Sequence, residues 1–187
     1  MCIRDSAGDA LTTGESNVGI GHGALSAEDG NGSTTAVGYK ALNVQNAGQE
    51  SYNVAIGFEA GKLVTTGIEN TLIGSLAGDA LTTGTRNVAI GYAALGAEDA
   101  HGKNIAIGYQ ALTAQDAGAD ARNVAIGYEA GHDVSTGIKN VFVGNSAGEK
   151  VTEGDNNTFL GANAGDALTT GDNNIIIGYN AAAAAVD

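Results

Sequence analysis

One short phrase recurs ten times along the chain and constrains its fold more than any other feature. Asn53-Val54-Ala55-Ile56-Gly57 is its cleanest form, and copies start at Asn17, Thr34, Asn53, Asn70, Asn87, Asn104, Asn123, Asn140, Asn157 and Asn174. The steps between them are 17, 19, 17, 17, 17, 19, 17, 17 and 17 residues. A fixed period of this size marks a repeat architecture in which each unit is one coil stacked on the last. The expected fold is all-β: a parallel β-solenoid of about ten coils of 17–19 residues. At a strand spacing of about 4.8 Å the stack reaches roughly 48 Å.

Aligning the coils turns positions into columns. The first column is Asn in nine coils and Thr34 in the other, the fifth is Gly in all ten, and the eighth is Ala in all ten. An invariant Gly implies a bend or a backbone approach that a Cβ would block. An invariant Ala implies an inward position with room for a methyl group. A column of Asn implies an amide ladder running up the stack. Columns two to four form the strand. Columns two and four are mostly β-branched and are expected to fill the coil, which turns column three outward. That column is also apolar: Ala55, Leu72, Ala89, Ala106, Ala125, Phe142, Phe159 and Ile176. A strand apolar on both faces is usually covered on both, so these eight residues are expected at an interface between copies, with a homotrimer as the assembly.

The coils come in two kinds. Some read Ala-Leu after the bend, as at Ala94-Leu95, and others read Ala-Gly, as at Ala77-Gly78. Two of the first kind followed by two of the second give a super-repeat of 70 residues. Both 19-residue coils are the second Ala-Leu coil of their set, and their extra residues fall near Ala47-Gly48 and Ala117-Gly118, where a bulge is expected. The coil at Asn157 departs from this order, being Ala-Gly where Ala-Leu is due.

Composition agrees with a thin core. The chain has 30 Gly, no Pro and no Trp. Its formal net charge of −13 opposes nucleic acid and an anionic membrane surface as partners. No stretch approaches the roughly 18 apolar residues of a membrane span, so no membrane contact is expected within 7–180. Residues 1–6, Met-Cys-Ile-Arg-Asp-Ser, fit none of the repeat and resemble the in-frame translation of a transposase sequencing adapter. They are read as non-native, 7–180 as the solenoid, and 181–187 as an Ala-rich tail, the whole being a metagenomic fragment of a longer fibrous protein. Cys2, the one cysteine, belongs to the adapter-like segment.

Little in the pattern speaks for catalysis. His22, His101 and His132 occupy three different columns, so the repeat does not gather them. Gly19-Ile20-Gly21-His22-Gly23 is one coil's bend rather than a phosphate loop, because no helix follows it. The calcium nonapeptide pattern is absent, since the chain has no Gly-Gly pair; loops such as Asp155-Asn156-Asn157 still offer oxygen ligands. No catalytic residue, cofactor or metal site is expected. Two columns are candidates for ligand recognition. Tyr92, Tyr109 and Tyr128 follow one another in the sixth column, either as a sugar-stacking platform or as rings packed over the neighbouring bend. Arg86, Lys103, Arg122 and Lys139 follow Glu69 in the column before Asn, either as a stripe for anionic glycans or as partners of nearby acids such as Glu69, Asp99 and Asp120.

The phrases at Asn53–Gly57, Asn87–Gly91 and Asn123–Gly127 resemble the head repeats of YadA-like trimeric autotransporter adhesins, and equally the repeats of phage tail fibres and related surface proteins. The resemblance covers 7–180. It implies a trimeric, left-handed parallel β-roll, placed extracellularly on a bacterial cell surface or in a virion tail fibre, that attaches to a host glycan or protein. The coils here are longer than those of the adhesin heads and carry a Thr-Thr-Gly arm. The expected function is therefore a structural and adhesive fibre segment, not an enzyme. The alternative is an ice- or surface-binding solenoid, suggested by Thr12-Thr13, Thr65-Thr66, Thr82-Thr83, Ser135-Thr136 and Thr169-Thr170. A polysaccharide-processing enzyme on a β-helix requires clustered acids or bases in a groove, which the columns do not show.

Overall fold

A computed structural model describes residues 6–30 and 32–182. The adapter-like segment other than Ser6, and the tail from 183, lie outside the described residues. Ten three-residue strands form one parallel sheet in sequence order: β1 (Val18–Ile20), β2 (Thr35–Val37), β3 (Val54–Ile56), β4 (Thr71–Ile73), β5 (Val88–Ile90), β6 (Ile105–Ile107), β7 (Val124–Ile126), β8 (Val141–Val143), β9 (Thr158–Leu160) and β10 (Ile175–Ile177). The register is in column throughout, with Ala55 beside Leu72 and Leu72 beside Ala89. The chain is the β-solenoid that its period predicts, and no helix occurs among the described residues.

Glycine closes the bend for the reason expected. The fifth-column glycines have φ between +120° and +143°, and a Cβ on Gly21 would lie 2.6 Å from the Gly38 carbonyl oxygen one coil away. Less visible in the sequence are the left-handed corners at other residue types. The residue before Asn is one, as at Glu69, Arg86 and Lys103; the seventh and ninth columns supply others, as at Gln110 and Leu112. Each is unfavourable for an L-residue by about 1–2 kcal/mol, and the coil-to-coil hydrogen bonds hold them in place.

The orientation of the strand is the reverse of the expectation. Column three faces inward: Ala55, Leu72, Ala89, Ala106, Ala125, Phe142 and Phe159 are fully buried inside their own coil, and Ile176 packs partly buried against that core. These eight residues are therefore core, not interface. Columns two and four face outward, with Ile20 58%, Ile56 39% and Leu160 47% exposed. The physical reason lies in the parity of a strand: columns one and three must share a side, and the Asn column is enclosed, with Asn53, Asn70 and Asn87 fully buried.

Volume settles the same point. Where column nine is Leu, as at Leu25, Leu42, Leu95 and Leu112, column three is Gly or Ala. Where column three is Leu72, Phe142 or Phe159, column nine is Gly. A Cβ on Gly78 would stand 2.8 Å from Leu72, one on Gly148 2.5 Å from Phe142, and one on Gly165 would press on Phe159. Two columns thus share one interior space, and where both are small, as at Ala55 with Gly61 and Ala125 with Gly131, the larger side chains of the neighbouring coils fill it, with Leu72 and Leu42 against Gly61 and Phe142 and Leu112 against Gly131. The same exchange accounts for the coil at Asn157: with Phe159 inside, Gly165 must stand where Leu was due.

The Asn ladder exists in a different form from stacked amides. Each Asn Oδ1 accepts from the backbone N–H of the Asn one coil on, at 2.8 Å for Asn53 to Asn70 and 2.8 Å for Asn140 to Asn157. In six of the coils its Nδ2 donates to a carbonyl, at 2.7 Å to Gly67 for Asn53 and 2.7 Å to Gly154 for Asn140. Side chain and main chain are interleaved, so buried backbone groups at each corner are satisfied.

Candidate functional site

The outer sheet face is the largest regular surface that the strands create. Columns two and four line it with Val, Ile, Thr and Leu over ten coils. Val18, Ile20, Ile56, Ile126, Leu160, Ile175 and Ile177 are among its exposed members. Every strand keeps the same register, and no charged residue falls in either column.

The aromatic column is a stack. Tyr92 and Tyr109 lie 5.4 Å apart between centroids at 14°, and Tyr109 and Tyr128 lie 5.1 Å apart at 7°. A second stack joins His22, Tyr39 and Phe58. The rings pack over their neighbours, so their faces meet one another and their edges meet solvent. A sugar stacks on a ring face, and within each stack those faces are occupied. Glu129 accepts from the Tyr128 hydroxyl, which raises the phenol's pKa.

The basic column pairs with acids across coils. Arg86 Nε donates to Glu69 Oε2 at 2.6 Å, and Lys103 Nζ donates to Asp120 Oδ2. Lys103 holds the Asp120 carboxyl below its ordinary pKa. Arg122 and Lys139 make no ion pair among the described residues. The four bases do not form one open cationic stripe.

The threonine arm is tied into the stack. Thr12, Thr65 and Thr82 donate their hydroxyls to carbonyls one coil on, at 2.8, 3.2 and 2.8 Å, and Ser135 does so at 3.2 Å. The first hydroxyl of these four pairs is therefore engaged in the stack, while the second members, such as Thr13, Thr66 and Thr83, are exposed. The Asp155 loop is likewise engaged. Asp155 Oδ1 accepts from Ile138 N at 2.8 Å, and Asn157 Oδ1 from Asn174 N at 2.9 Å.

A polar constellation inside the Ala-Leu coils is the feature that column reading missed. One interior column reads Leu11, Glu28, Gln45, Val64, Leu81, Glu98, Gln115, Val134, Val151 and Leu168. Glu28, Gln45, Glu98 and Gln115 are fully buried in a position that other coils fill with Val or Leu. The first pair is closed. Gln45 Nε2 donates to Glu28 Oε2 and to Thr34 Oγ1, both at 3.2 Å, and its Oε1 accepts from Asn53 Nδ2 at 2.8 Å. Thr34 and Ser51 share a further hydrogen bond of 2.5 Å between hydroxyls.

The second pair is arranged differently. Gln115 Nε2 donates to the Ser135 carbonyl at 3.1 Å, and its Oε1 accepts from Asn123 Nδ2, so it does not reach Glu98. Glu98 Oε1 accepts from the His101 backbone N–H at 2.9 Å, while Glu98 Oε2 has no partner. The His101 imidazole turns to this carboxylate, with Nδ1 3.3 Å from Glu98 Oε1 and no hydrogen bond made. Asn104 Nδ2, in the Thr34 position, is also bare, and Ala121 stands where the first super-repeat has Ser51. Burial raises the Glu98 pKa, against the opposing pull of the His101 backbone hydrogen bond and of His101 itself. Asp99 and Asp116, one above the other in the adjacent column, complete a group whose ligating atoms all lie within 4.8 Å of one another. His101 is thus gathered with acids rather than with the other histidines.

No family model, curated protein or solved structure matches the chain.

Proposed function

We propose that the chain is a structural segment of an extracellular fibre, assembled from three copies that pack their sheet faces together. The observation that supports this reading is the outer face of columns two and four. Soluble monomers rarely leave a contiguous apolar surface of more than a few hundred Å² in water. Here a β-branched stripe runs the whole stack, with Ile20 and Leu160 near its two ends 58% and 47% exposed. A face with in-column register offers a copy of the chain the same apolar pattern at every coil, and a closed assembly leaves none of it exposed. The threefold number, the bacterial adhesin or phage tail-fibre setting and the extracellular location rest on the resemblance of the Asn-Val-Ala-Ile-Gly repeats. Attachment to a host glycan or protein is then carried by what varies between coils on the remaining surfaces. The chain acts by display and not by turnover. Light scattering on the full chain tests the assembly: the expected mass is three times 18.5 kDa, and a single-chain mass across the micromolar range would refute it.

A further inference from the structure

The cluster at Glu98, Asp99, His101 and Asp116 has a composition that an ordinary surface group of acids lacks. Glu98 is fully buried in an otherwise apolar column, and its Oε2 has no hydrogen-bond partner. A buried carboxylate with one oxygen unpartnered is costly, and such groups are normally paired or bound to a metal. The first super-repeat shows the alternative: Glu28 is bonded by Gln45. Seventy residues on, Gln115 has turned to Ser135 and left Glu98 facing His101 and Asp116. The chain changes at the matching positions as well. Asn31 and Asn46 of the first super-repeat correspond to His101 and Asp116 of the second, so both changes introduce a metal-ligating side chain.

We propose that Glu98, Asp99, His101 and Asp116 bind one divalent transition-metal ion of the zinc type. An imidazole nitrogen among carboxylates favours such an ion over calcium or magnesium, which prefer oxygen alone. The spacing fits. His101 Nδ1 and Glu98 Oε1 stand 3.3 Å apart, and neighbouring ligands in a tetrahedral zinc shell are separated by about 3.4 Å. Asp99 and Asp116 are exposed, and the partly exposed imidazole leaves an entry path. Glu98, Asp99 and His101 belong to one coil and Asp116 to the next, so the ion clamps two coils beside the bulge at Ala117-Gly118.

Zinc chloride titrated calorimetrically into the metal-free full chain tests the proposal. One equivalent per chain is expected, with no comparable binding of Ca²⁺. His101→Asn combined with Asp116→Asn, which restores the residues of the first super-repeat, is expected to weaken zinc at least tenfold. Absent saturable binding, or undiminished binding by a variant with unchanged circular dichroism, overturns the proposal. Should that variant not fold, the wild type decides by NMR. The chain has three histidines, and one equivalent of zinc is expected to shift the His101 imidazole resonances while His22 and His132 stay in place. A shift of His22 or His132 instead, or of none, overturns it equally.

Discussion

The pocket at Glu28 and the pocket at Glu98 occupy the same place in successive super-repeats, and they solve one problem in two ways. Both bury a carboxylate in a column that is otherwise Leu or Val. The first answers it with Gln45, Thr34 and Ser51, all hydrogen-bonded to one another or to Glu28. The second replaces Ser51 by Ala121 and Thr34 by Asn104, turns Gln115 away, and brings in His101 and Asp116. A repeat fixes backbone geometry coil by coil, and function can then be written into the few positions that depart from it. The closed pocket reads as a structural network, the open one as a receptor.

The largest expected effect is on the closed side. Gln45→Leu has the shape that this column accepts elsewhere, yet it removes the amide from Glu28 and should destabilise by about 3 kcal/mol. Gln115→Leu should cost only about 1 kcal/mol, since Asn123 and Ser135 each keep another hydrogen bond. Paired urea melts check the difference, and equal losses would mean that the pockets are not distinct. Next in size is the open side with metal. Zinc at a hundred times its dissociation constant should stabilise the chain by about 2.7 kcal/mol, read as a rise in melting temperature that His101→Asn abolishes. Smaller again is Ala121→Ser, which copies Ser51 and offers Asn104 Nδ2 an acceptor; a gain of about 1 kcal/mol is expected in the same melts.

The smallest effect is at Asp120, beside the open pocket. Its folded pKa is lowered by Lys103, so its stabilisation is present above its ordinary value of about 3.9 and disappears as pH falls through the lower, folded value. The pair is exposed, so Asp120→Asn should cost less than about 1 kcal/mol at pH 7. Wild type and variant should converge in melts once the pH has fallen through that lowered value.

Much of this fold is legible from the period alone, because a bend that recurs at fixed spacing needs Gly21 and its nine equivalents. The inward Ala column is legible for the same reason. The facing of the strand was readable too, but from a different signal. Reading Val54 and Ile56 as interior follows hydrophobicity, whereas Asn53 and Ala55 share parity, and Leu72 against Gly78 shows where the volume lies. A one-residue shift of parity turns every side chain to the other face, which is why Ala55, Phe142 and Phe159 read as contact surface and are core. The metal-type cluster escaped because its members lie in three columns and two coils. Searching for aligned histidines cannot find His101 beside Asp116. The buried Glu28 and Glu98 among Leu and Val were the available clue.

In the proposed assembly columns two and four, and not column three, join copies of this chain. It is tested most directly by light scattering on the wild type beside Ile90→Lys combined with Ile107→Lys, both on the outer face of adjacent strands. The expected mass is that of three chains for the wild type and of one chain for the variant, with unchanged circular dichroism. Equal masses for the two proteins would contradict it.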